Sequence, residues 1–71
     1  METIAITGGT GFVGTFLCDA LRKKGHKIRI ITRKMPKNPH ENTEYAVADY
    51  QDEKSLENAF EGADKVIHLA A

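Results

Sequence analysis

Thr7-Gly8-Gly9-Thr10-Gly11-Phe12-Val13-Gly14 is the segment whose residue types and spacing point most directly to chemistry. Gly9, Gly11 and Gly14 satisfy G-x-G-x-x-G, while Gly8, Gly11 and Gly14 satisfy the variant G-x-x-G-x-x-G. Both spacings answer one physical need: a tight turn, a backbone with no Cβ in the way of a pyrophosphate, and a helix packed closely on a strand. Backbone N–H groups near Gly11, Phe12 and Val13 then aim at the anion from a helix N-terminus, where the macrodipole adds to the attraction. A second group, Thr32-Arg33-Lys34, ends the next apolar run, where an acidic side chain would accept from the 2′-hydroxyl of NAD. The guanidinium of Arg33 instead offers a planar, charged donor set suited to a 2′-phosphate. Lys34 adds a second positive charge, so the sequence favours NADP over NAD.

These residues need elements to position them. Thr3-Ile4-Ala5-Ile6-Thr7 is a short β-branched run stopped by glycine, the form of a fully buried strand. Val13, Phe16, Leu17, Ala20 and Leu21 follow at i, i+3, i+4, i+7 and i+8, one apolar stripe of a helix. Gly25 stands where a left-handed C-terminal cap belongs, behind Arg22, Lys23 and Lys24, whose charge suits a helix C-terminus. Lys27–Thr32 reads as the second strand, completing a β-α-β unit of the usual length. Residues 33–43, with Pro36, Asn38 and Pro39 and no apolar period, read as a loop. Glu44–Ala48 is a weaker third strand. Asp52 caps a second helix that carries Leu56, Ala59 and Phe60 on one face and stops at Gly62. Lys65–Ala70 makes a fourth strand.

Strands alternating with helices predict an α/β fold, a partial doubly wound Rossmann arrangement of four parallel strands in the order 3-2-1-4 with one helix on each face. Two helices cannot cover both faces of such a sheet, so the chain reads as the N-terminal portion of a longer dinucleotide-binding domain or as a chain whose open sheet invites self-association. Its 71 residues leave room for one small core. Composition, 41% hydrophobic and 28% charged, is that of a globular chain rather than a disordered or collagen-like one. No apolar run is long enough to span a bilayer, and the N-terminus lacks the basic region of a signal peptide, so a cytoplasmic protein with no membrane partner is expected.

Zero net charge hides a segregation. Residues 22–40 hold eight of the ten basic side chains and no acid, whereas 41–64 hold eight acids against Lys54 alone. Global charge therefore gives no support to nucleic-acid binding, and Arg33 and Lys34 draw the basic stretch to the adenosine end of the site. Arg29 and Lys37 read as solvated. The single cysteine, Cys18, reads as a small helix residue, and His26, His40 and His68 are too widely spaced for a local metal site. His68, on the fourth strand, is read either as a packed or hydrogen-bonded core residue or as a ligand or acid–base group.

Taken together, TGGTGFVG, VADYQD and VIHLAA resemble the N-terminal part of the extended and atypical short-chain dehydrogenase/reductases, the group often called NAD-dependent epimerase/dehydratase. The resemblance implies that Gly8, Gly9, Thr10, Gly11, Phe12, Val13 and Gly14 hold the cofactor pyrophosphate. It implies adenine contacts at Asp49, with Tyr50 beside it, and a ribose-side wall at Leu69, Ala70 and Ala71. Tyr50 and Lys54 also spell the Tyr-x-x-x-Lys pattern of these enzymes, but they follow the third strand at the adenine end, so no catalytic role is expected of them. The catalytic and substrate-binding parts are absent from these residues, and the 71 residues alone are not expected to turn over substrate. The function implied is dinucleotide binding for an NADP-linked epimerase, dehydratase or reductase that transfers hydride, with nucleotide sugars the commonest substrate class. A non-catalytic sensing or structural member of the atypical branch, and a truncated chain with no function of its own, are the alternatives.

Overall fold

The structure, a computed structural model, describes residues 1–8 and 11–69. In chain order the elements are β1 (Thr3–Thr7), α1 (Phe12–Lys23), β2 (Lys27–Thr32), β3 (Thr43–Val47), α2 (Glu53–Phe60) and β4 (Lys65–His68). All four strands are parallel, in the order β3-β2-β1-β4. This is the order expected from the alternation of strands and helices. The third strand runs one residue earlier than its sequence suggests, although the Ala48 N–H still donates to Thr32 O at 2.9 Å. The fourth strand ends at His68, so Leu69 falls beyond it, and Ala70 lies outside the described residues.

Period-two alternation divides the core between the two faces of the sheet. Ile4, Ile6, Ile28 and Ile30 face α1 and bury Cys18, with Leu17, Leu21, Tyr45 and Ile67 packed around them. On the opposite face Ala5, Ile31 and Ala48 meet Ala59 of α2, flanked by Leu56 and Phe60. Alanines dominate that second layer. β1 is thus buried on both faces, the reason its sequence is a continuous apolar run rather than an alternating one.

The seat of α1 differs from the expected stripe. Gly14 and Cys18 face the sheet, Leu17 and Leu21 flank them, and Val13, Phe16 and Ala20 are exposed, Phe16 at 76%. The helix rests on its smallest residues, which permits a close approach of its backbone to the strands and rolls the bulkier side chains outward. Its other flank is pinned by Arg22, whose Nε and Nη2 donate to Thr43 Oγ1 at 2.9 and 2.6 Å. Burial pushes the Cys18 thiol pKa up, as suits a packed side chain rather than a reactive one.

The end of α1 is a Schellman motif: Gly25 N–H donates to Arg22 O at 2.9 Å and His26 N–H to Leu21 O at 3.2 Å. Gly25 has φ 89°, and a Cβ there would meet nothing within 4 Å, so the demand for glycine is purely conformational. Gly25→Ala is expected to cost about 1 kcal/mol, with Gly25→Asn milder; denaturant melts of the two variants check this.

Arg29 is not solvated. It lies on β2 beneath α2, only 16% exposed, where its Nη1 donates to Ala59 O at 3.0 Å and to Glu61 O at 2.7 Å. α2 has no basic residue in its last turn, so this strand arginine supplies the positive charge and the donors that its C-terminus lacks. The same guanidinium pairs with Glu44 on β3, and Lys27 approaches Glu44 at 3.5 Å. The hydrogen bond from Arg29 holds the Glu44 carboxyl below its ordinary 4.5, against an opposing contribution from burial. A carboxylate depressed in the folded state stabilises fully above its unfolded pKa and loses that contribution as pH falls through the folded one. Stability should therefore fall on acidification below 4.5, and Glu44→Gln should flatten that part of a melting-temperature profile.

Candidate functional site

The C-terminal ends of the strands bring Thr7-Gly8, Thr32-Arg33, Ala48-Asp49 and His68-Leu69 to one edge of the sheet. From β1 the chain runs outward to β2 and β3, then returns to place β4 on the other side of β1. The strand order reverses between β1 and β4, which in open parallel sheets is where a binding crevice forms.

Gly8 ends β1 in a turn with φ 75°, a conformation that favours glycine. The turn is drawn together by Gly11 N–H, 3.4 Å from Gly8 O. Gly11 is the N-cap of α1 and supplies no side chain to it, and the first turn carries no acid. The first N–H groups of a helix have no intrahelical acceptor, and among the described residues no side chain caps those of α1, which its dipole backs. Gly11 itself has φ −79°, which any residue adopts, and a Cβ there would sit 3.8 Å from Gly8 O, an ordinary contact. Nothing among the described residues requires glycine at this position. Gly11 is exposed, so its backbone is open to a group that approaches from outside, as a pyrophosphate does.

Gly14 is buried, in keeping with close packing of α1 on the sheet, and Val13 is 67% exposed. Gly9, Thr10, Ala70 and Ala71, each expected at the site, lie outside the described residues, while Phe12 begins α1. Thr7, fully buried, has its Oγ1 2.6 Å from His68 Nδ1, and its carbonyl accepts from Leu69 N–H at 3.0 Å. His68 is exposed rather than a core residue, yet its ring is hydrogen-bonded to Thr7 and ties β4 to β1 beside the glycine turn.

A second opening lies at the ends of β2 and β3. It is a cleft of about 400 Å³ lined by Arg33, Val47, Ala48, Asp49 and Ser55. Arg33 is held out by a turn in which Thr32 Oγ1 donates to Lys34 O at 2.9 Å and accepts from Lys34 N–H at 3.4 Å. Lys34 is exposed beside it but is not part of the lining. Asp49 Oδ1 accepts from Gln51 N–H at 2.9 Å, and Asp49 N–H donates to Ser55 Oγ at 3.1 Å. Tyr50 turns inward, its hydroxyl donating to Ile31 O at 2.9 Å, so it braces the loop against β2. Lys54 is exposed in the first turn of α2, while the Tyr50 hydroxyl is turned toward Ile31 O.

Ser55 was not among the residues marked by the sequence. The available signal was Asp52-x-x-Ser55: Asp52 Oδ1 caps α2 by accepting from Lys54 and Ser55 N–H at 3.1 and 3.4 Å, which turns the residue three places on back toward the preceding loop.

An open parallel sheet with a glycine turn leading into a helix at its reversal point defines the dinucleotide-binding class of α/β folds. The model of the NAD dependent epimerase/dehydratase family matches residues 4–71, and the chain belongs to that family. It is 39% identical over its full length to the L-arabinose 1-dehydrogenase (NAD(P)(+)) of Haloferax volcanii, of which it covers 26%. The solved structure of UDP-N-acetylglucosamine 4-epimerase from Bacillus cereus superposes with a TM-score of 0.86 at 37% identity, over all of this chain and 24% of that one. A short-chain dehydrogenase/reductase superfamily protein from Agrobacterium tumefaciens with bound NAD gives 0.78 at 30% identity, over 99% and 20%. The chain spans 8% to 26% of the length of curated relatives that it matches. No helix among the described residues is long and apolar enough to cross a membrane.

Proposed function

We propose that this chain is the dinucleotide-binding N-terminal portion of a cytoplasmic, NADP-linked epimerase, dehydratase or reductase, with the catalytic and substrate-binding parts supplied by further sequence. The observation that carries the reading is the start of α1: among the described residues its first donors have no side-chain cap, its first turn holds no acid, and nothing demands the glycine at 11. In this reading the segment from Gly8 to Gly14 holds the pyrophosphate and Asp49 the adenine, with Tyr50 fixing the loop. Arg33 and Lys34 meet the 2′-phosphate, and Leu69 with Ala70 and Ala71 borders the ribose on the nicotinamide side. The cofactor supplies hydride chemistry when bound, and this portion orients it and provides the electrostatics. Nucleotide sugars are the proposed substrate class, in line with the Bacillus cereus relative and by analogy with it.

Calorimetric titration of the chain with NADPH and NADH tests the proposal. Binding of both, with NADPH the tighter, is expected. Absence of heat from either cofactor, in a chain whose circular dichroism shows it folded, would overturn it.

A further inference from the structure

We draw no further inference here: the strongest candidate, the groove of about 200 Å³ between α1 and the loop that precedes β3, lined by Cys18, Arg22, Ile30 and Tyr45 among others, carries nothing, because the contacts of Arg22 with Asp19 and Thr43 and of the Tyr45 hydroxyl with His40 N–H brace the fold, and among the described residues none shows a group aimed into it.

Discussion

Gly11→Ala is expected to leave the chain folded while weakening NADPH and NADH binding alike by roughly thirtyfold. The two halves of this expectation have separate physical origins. Within the protein the added methyl meets only Gly8 O, at 3.8 Å, and the backbone at φ −79° suits alanine. The folded state loses little beyond the preference for glycine over alanine at a helix N-cap, about 1 kcal/mol or less. For a chain of this size that is a fall in melting temperature of up to about 8 °C. Toward a bound pyrophosphate, however, the same methyl stands in front of the first N–H groups of α1. Displacing one charge-assisted hydrogen bond costs about 2 kcal/mol, which is the thirtyfold. Thermal melts and titrations on one preparation separate the two effects. An undiminished affinity would mean that nothing approaches Gly11 closely, and the reading of the glycine turn would fall.

The glycine turn was legible because its demands are local: tight turning, a strand before it and a helix after it are all written between Thr3 and Lys23. Sheet order followed from the alternation of elements, since parallel strands admit few crossovers. Arg29 was not legible, because its role depends on contacts far along the chain. In sequence it is one of eight basic residues in an acid-free stretch, and only the fold places it under α2 against Ala59 O and Glu61 O. α1 misled for a related reason. Hydrophobic periodicity weights Val13 and Phe16 by their apolar surface, whereas a parallel sheet that must be approached closely selects Gly14 and Cys18 for their small size. Ser55 was missed because a serine in the first turn of a helix has an ordinary local use. Its bond to Asp49 appears only once the loop has folded back.

Arg33→Asp is expected to weaken NADPH binding by at least about a hundredfold while changing NADH binding little or tightening it. Arg33 is exposed, lines the cleft at the end of β2, and among the described residues makes no ion pair. Its guanidinium is therefore uncommitted, and a phosphate meeting it gains charge-assisted bonds of about 1.5 to 3 kcal/mol each. Reversal to aspartate removes them and sets a carboxylate against the phosphate. The same carboxylate stands at the strand end where an acid accepts from the 2′-hydroxyl of NAD, so NADH should gain what NADPH loses. Salt gives an independent check, because the site is open to solvent. The advantage of NADPH over NADH should shrink between low and moderate ionic strength in the unaltered chain, and no such salt-sensitive advantage should remain in the variant. Lys34 limits how large the loss can be, since its ammonium next door keeps some attraction for the phosphate after Arg33 is gone. Parallel losses of NADPH and NADH in Arg33→Asp would show instead that Arg33 serves the shape of the loop, and the preference for NADP would have to be sought elsewhere on the edge of the sheet.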